Sequence, residues 1–364
     1  MSVSDYDSYR PPDPPRRKKK NGSGGKRGAR RGGADGSREM PMVEDAEFSS
    51  YYGRPVVKAP PWGHEIAAYL FLGGLAGGSG LLAAGAELTG RHKLRRNARL
   101  TAIGAVSAGT VALIADLGRP ERFHHMLRTI KPSSPMSLGT WILSAFSAGT
   151  GVTAAVEVDR MTSHRLPLGP LRSLLHGLER PAAVLPAVLA APLASYTAVL
   201  LSDTAVPTWN ASRDELPFVF VSSAGMAAGG MAMVTTPPRE AAPARVLASL
   251  GTVGELVSMK LMKRRMHPAE AEPLEAGHAG HLLEWAERLA ITGGIGAALF
   301  GGRRVPAAVS GLMLVGASAL TRFGMLEAGI ESTKDPRHTI EPQKARLQAR
   351  REAGITGDSA TTAG

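Results

Sequence analysis

Residues 115–141 read ADLGRPERFHHMLRTIKPSSPMSLGTW, and they gather Asp116, Arg119, Glu121, Arg122, His124, His125, Arg128 and Lys131 in one short stretch. Carboxylates and imidazoles exchange protons, and in their protonated forms they donate hydrogen bonds to carbonyl oxygens. A plain connecting loop needs only a few polar residues, so this density points to a site. Groups of the same chemical kind recur at His64, Glu65 and Tyr69, at Tyr196 and Asp203, and at Glu255. Further along come His281, Glu284, Trp285, Glu287 and Arg288, then Arg322 and Glu327.

The elements that must position these groups are apolar helices. The protein has 364 residues, a net charge of +12 and no cysteine. Its mean hydropathy is near zero, but that average hides a strong segregation, with charge at the ends and in the loops. A bilayer core of about 30 Å takes about 20 largely apolar residues to cross. Residues 66–86, 137–156, 182–202 and 216–234 meet that requirement, and 100–115 approaches it, extending to about 117 with Asp116 at the edge. Residues 246–259, interrupted by Glu255, and 289–302 and 305–321 are weaker. The fold expected is an all-α polytopic membrane bundle of eight transmembrane helices with a disordered basic N-terminal tail. Its parts are a tail at 1–60, a bundle at 61–330 and a polar C-terminal tail at 331–364, with one short helix expected in EPQKARLQARREAG. The first 60 residues hold thirteen Lys and Arg and have too little apolar surface to offset their conformational entropy. No apolar run follows the basic cluster at signal-peptide distance, so a cleaved signal is not expected.

Eight spans put both termini on one side. Sorting the polar groups by side then places His64, Glu65, Tyr69, Asp116, Arg119, Glu121, Arg122, His124, His125, Trp141, Tyr196, Asp203 and Glu255 toward that terminal side. The far side shows Glu87 and Glu157 at span ends and otherwise mostly arginines. An ionisable group at the bilayer centre costs about 2.5–3.5 kcal/mol on insertion scales and less near the edge. Their concentration on one side suggests a polar pocket near that membrane surface. Taken singly, each has a simpler account as a snorkelling or helix-end charge beside lipid head groups. Asp116 and Arg119, three residues apart, also suit a helix-end ion pair.

Several chemistries are excluded or not indicated. Without cysteine the protein cannot ligate an iron–sulfur cluster or use a thiol. His124 and His125 are adjacent and point apart in a helix, and no histidines face each other at mid-depth, so neither metal nor haem is expected. Nucleic acid is not expected as a partner. Gly73 with Gly77, Gly74 with Gly78, and Gly225 with Gly229 have the four-residue spacing that lets helices approach closely in lipid. They suit packing within one bundle, or a dimer contact.

The stretch DLGRPERFHHMLRTIKPSSPMSLGTW resembles the junction between the second and third spans of the NrfD/PsrC family, the polysulfide-reductase-type membrane subunits. WGHEIAAYLFLGGLAGGSGLLAAGAEL is similar to that family's opening helix, and ASYTAVLLSDTAVPTWN to its fourth span and following loop. The likeness covers about residues 62–160 and 181–234, and it is diffuse beyond them. It implies an eight-helix bundle without haem or cluster. It also implies bound menaquinone or ubiquinone and electron exchange with a docked ferredoxin-like iron–sulfur subunit, usually with a molybdopterin catalytic subunit beyond. By position the quinone head group falls to His64, Glu65, Tyr69 and Tyr196, with Asp116 and Arg119 lining the approach.

Two functional readings follow. In the first, the protein is a non-catalytic quinol-binding membrane anchor in the cell membrane, with Asp116, Glu65, Asp203 and Glu255 available to relay protons. In the second, the same carboxylates serve a proton-coupled transporter or ion conduit. A transporter calls for polar groups at mid-depth and helices broken in both halves of a repeat. Pro186 and Pro192 could break the fourth span, and the second half has no matching break. Loop charges do not decide the orientation, and the long basic tail favours cytoplasmic termini.

Overall fold

The computed structural model describes residues 55–128 and 130–354, so the basic tail expected over 1–60 lies mostly outside the described residues. All regular structure among the described residues is helical. The long helices are α1 (His64–Leu88), α2 (His92–Ala115), α3 (Pro135–Met161), α4 (Pro170–Val188) and α5 (Ala190–Ser202). After the short α6 (Pro207–Ala211) come α7 (Leu216–Thr235) and α8 (Ala242–Arg265). The short α9 (Pro268–Ala271) leads to α10 (Gly277–Phe300), α11 (Arg304–Ser332) and α12 (Arg337–Glu352). Among the described residues six segments are long and apolar enough to cross a bilayer: α1, α2, α3, the joined α4–α5, α7 and α11. At 24 residues each, α8 and α10 are as long as α2, but charged residues interrupt the apolar stretch of each and neither counts among the six.

Two halves pack side by side, α1–α5 and α7–α11, with α1 and α7 at the seam. Small residues make that seam possible. A Cβ at Gly78 would sit 2.6 Å from the Ala224 carbonyl oxygen, and one at Gly77 would sit 2.8 Å from that of Ala190. Gly230 and Gly311 face each other backbone to backbone in the same manner. The glycine stripes noted in the sequence are therefore spent inside this bundle, where van der Waals contact replaces the apolar effect that lipid does not supply.

The fourth span is broken between its two prolines, at Leu189, which ends α4 and begins α5. Pro186 and Pro192 each lack the N–H that a continuous ladder requires. At the far end Arg304 donates to the carbonyls of Met233, Val234 and Thr236, capping α7, and Glu240 accepts from the backbone N–H of Lys93 at the start of α2.

The terminal end carries a cap. Trp209 on α6 is fully buried and donates its indole N–H to the Met325 carbonyl at 2.7 Å. The Thr208 hydroxyl donates to the Glu270 carbonyl at 2.8 Å. In the polar stretch after residue 331, Arg337–Glu352 forms a helix. α12 is fastened by Arg346 to Glu270 at 3.1 Å and by Arg337 to Glu272. That partner raises the Arg337 guanidinium above its ordinary value, chiefly through the hydrogen bond.

Candidate functional site

The start of α1 and the end of α2 meet at the terminal end. The backbone N–H of Gly63, just ahead of α1, points to Asp116 Oδ1 at 3.5 Å, so the loop carboxylate lies beside the positive end of a helix dipole. His64, next in the sequence, stacks on Phe323 of α11 with ring centroids 6.0 Å apart. Trp62 stacks on Trp209 at 5.5 Å. Ring contacts therefore join the two halves at this end. Glu65 is exposed in the first turn of α1, and Asp116 is half-buried. Arg119 is exposed, and Pro120–Arg128 continues as a 3₁₀ helix with no buried residue, carrying Glu121, Arg122, His124 and His125.

Below this rim lie the two tyrosines. Tyr69 is buried at 4% exposure and borders Gly109 of α2. Tyr196 on α5 is half-buried, and its ring occupies the space that a side chain on Gly139 of α3 would need. Asp203 caps α5 and is exposed. Sequence reasoning grouped all of these residues. The structure sets Asp116 against the backbone of Gly63, the residue that precedes His64 and Glu65, whereas among the described residues no hydrogen bond or ring contact joins Tyr196 or Asp203 to Asp116, His64 or Glu65.

Glu255 is deeper than expected and has company. It is buried at 4% exposure and accepts from the Thr321 hydroxyl at 2.5 Å, while its second oxygen has no partner. The neighbouring Arg322 is fully buried. It donates to the Phe220 carbonyl at 2.6 Å and leaves Nε and Nη1 without partners. Its guanidinium reaches the space beside Gly74 of α1. Ser223, hydrogen-bonded to Ser318 at 2.8 Å, lies in the same layer. Ser223 is about 10 Å along α7 from its start, so this polar layer is well inside the bundle.

The opposite end holds a network the sequence hid. Arg99 donates to Glu157 at 3.0 Å, to Glu179 at 2.6 Å and to Glu87 at 3.0 Å. Arg95 adds a bond to Glu157 at 2.6 Å, and Arg160 makes a two-pronged pair with Glu179 at 2.6 Å. Arg99, Glu157 and Glu179 are all buried. Polar side chains are therefore concentrated at both ends of the bundle, not only at the terminal one.

A bundle of this kind, with six bilayer-length apolar segments and polar groups gathered at its ends, defines a multi-pass membrane protein. Residues 55–259, more than half of the sequence, match the family described as polysulphide reductase, NrfD. The protein belongs to the NrfD family. It is also 31% identical over 178 residues to the C subunit of polysulfide reductase from Wolinella succinogenes, a match covering 46% of this sequence and 55% of that protein. It thus spans about half the length of that relative.

Proposed function

We propose that the protein is the quinone- or quinol-binding membrane subunit of a multi-subunit oxidoreductase, exchanging electrons between the quinone pool and an iron–sulfur partner docked at the terminal end. The observation that carries this reading is the approach of Asp116 to the backbone of Gly63, which sets the charged loop beside His64 and Glu65. These side chains suit a quinone: imidazole, carboxyl and phenol groups donate to its carbonyl oxygens and accept protons from its hydroxyls. A bound quinol supplies two electrons and two protons on oxidation. His64 and Tyr196 orient the head group through hydrogen bonds, while Asp116 and Glu65 take protons at their carboxylate oxygens and pass them to water at the exposed rim.

The partner meets the rim and the exposed 3₁₀ helix, where Phe123 and Leu127 stand out among charges. A ferredoxin-like subunit supplies the clusters that a cysteine-free protein lacks, with a molybdopterin catalytic subunit beyond it. Menaquinone and ubiquinone both fit the donor set.

α8 and α10 complete a set of eight spans. Val246, Leu250, Val253, Val257 and Leu261 are all exposed along one stripe of α8, and Ile291, Ile295 and Leu299 form another on α10. Such stripes suit lipid, since soluble proteins rarely leave contiguous apolar surface of this extent in water. The termini, with the basic tail, face the cytoplasm.

The test is quinol oxidation by the intact complex in lipid. Asp116→Asn should slow it by roughly 10²-fold, the scale of a lost proton-transfer group, with the complex still assembled. Unchanged turnover with assembled partners would overturn the site. A second reading, a proton conduit through the second half, is favoured by the buried Glu255 and Arg322. Proton uptake by liposomes holding this protein alone, abolished by Glu255→Gln, would support it.

A further inference from the structure

We propose that Asp159, His164 and His176 form a binding site for a divalent transition-metal ion of the zinc type, at the far end of the bundle and apart from the quinone reading. Asp159, near the end of α3, is fully buried. His164 lies in the connection to α4, and His176 is on the second turn of α4. Two imidazoles converge on a single carboxylate oxygen: His164 Nδ1 is 2.6 Å and His176 Nε2 3.0 Å from Asp159 Oδ2. The three ligand atoms all lie within 4.8 Å of one another. Ligands bound at about 2.0–2.2 Å in a tetrahedron are roughly 3.3 Å apart, so small side-chain rotations would open the centre for an ion.

Two imidazoles and one carboxylate form a ligand set that zinc and its neighbours prefer, while magnesium and calcium prefer oxygen alone. The fourth position is reachable from solvent, because the His164 side chain is 53% exposed. The surroundings hold the ligands in place. Arg172 Nε lies 3.3 Å from Asp159 Oδ1 and 3.2 Å from Oδ2, orienting the carboxylate from outside, as the outer partners of metal ligands do. The same guanidinium donates at 2.6 Å to the carbonyls of His164 and Leu166, fixing the loop. Ser163 and His164 both adopt positive φ, 52° and 60°. Consecutive non-glycine residues rarely take that conformation unless the surroundings impose it, and here it turns His164 back onto Asp159. An ion at this point would clamp the start of α4 to the end of α3.

The test uses tag-free, chelator-treated protein in lipid nanodiscs, titrated with Co²⁺ and then Zn²⁺. The expected result is one Co²⁺ per protein molecule with visible ligand-field absorption, displaced by Zn²⁺, together with a higher unfolding temperature in the presence of the metal. His164→Ala with His176→Ala should abolish the absorption, whereas His124→Ala with His125→Ala should leave it intact. His176→Gln alone, which keeps the side chain's bulk and polarity, should weaken binding by at least about tenfold. Absence of binding to the parent protein, or equal binding by the His164/His176 variants, overturns the proposal.

Discussion

Arg322 lies over the ring of Phe220, with its guanidinium carbon 3.6 Å from the ring centroid, and donates to the carbonyl of that same residue at 2.6 Å. One residue thus supplies an aromatic face and a backbone acceptor to a cation that has no access to water. Glu255, held by Thr321, is the buried carboxyl group in the same layer. Removing one member of a buried pair leaves the other charge stranded, at a cost of about 3–5 kcal/mol. Arg322→Met should therefore destabilise the protein by that order. Adding Glu255→Gln should restore a large part of the loss, because no ion is then left to strand. Unfolding of the parent, the single variants and the double variant in one detergent measures the coupling. Strictly additive effects would mean that the two side chains do not act as a pair.

The seat of Tyr196 gives a second expectation. Its ring fills the space over Gly139, so even a methyl group there must displace it. Gly139→Ala should reduce quinol binding more than Tyr196→Phe, which removes only the hydroxyl. One neutral hydrogen bond contributes about 0.5–1.5 kcal/mol, so Tyr196→Phe should weaken binding by about 2- to 10-fold. Titrating the complex with a quinol analogue measures both. Equal binding by Tyr196→Phe and the parent would remove the phenol from the site.

The ion network at the opposite end supports a contrast between two of its members. Arg99→Met withdraws the guanidinium that three carboxylates share, two of them buried, and should cost about 3 kcal/mol. Glu87 is the most exposed of those carboxylates, with its side chain at 34%, and without it Arg95 keeps Glu157 while Arg99 keeps Glu157 and Glu179 as partners. Glu87→Gln should cost under about 1 kcal/mol. Comparable melting points for the two variants would show that burial does not set the energetics of this network.

What the sequence revealed and what it hid divide along physical lines. α1, α2, α3, α5 and α7 were legible because charge-free apolar runs of bilayer length have few other uses. α8 and α10 read poorly because Glu255, Glu284, Glu287 and Arg288 interrupt them, although exposed apolar stripes remain on their outer faces. Arg322 looked like a helix-end charge because the apolar run stops at Thr321, yet α11 continues to Ser332 and carries it inside. Arg99 and Glu179 stand just outside the apolar runs at 100–115 and 182–202, yet both are buried. Their burial depends on α2, α3 and α4 converging, which no local pattern records. The break at Leu189 was half legible, since prolines flag weakness without fixing the residue that yields. His164 and His176 are twelve residues apart, and the turn at Ser163 and His164, both at positive φ, together with the placement of α4 brings them onto Asp159.

Membrane orientation can be read directly because the protein has no cysteine of its own, so any single cysteine introduced reports without background. Thr89 is exposed in the turn after α1 at the far end, and Lys334 is exposed between α11 and α12 at the terminal end. Thirteen Lys and Arg in the first 60 residues oppose transfer of that segment across the membrane, in keeping with the bias of basic residues toward the cytoplasm. A membrane-impermeant maleimide added to intact cells should therefore label Thr89→Cys, and should label Lys334→Cys only after lysis. The reverse pattern would put the termini, the charged loop and the proposed docking face outside the cytoplasm. On the proposed reading, electrons would then leave the quinone pool on the other side, and protons released at Asp116 would appear there as well.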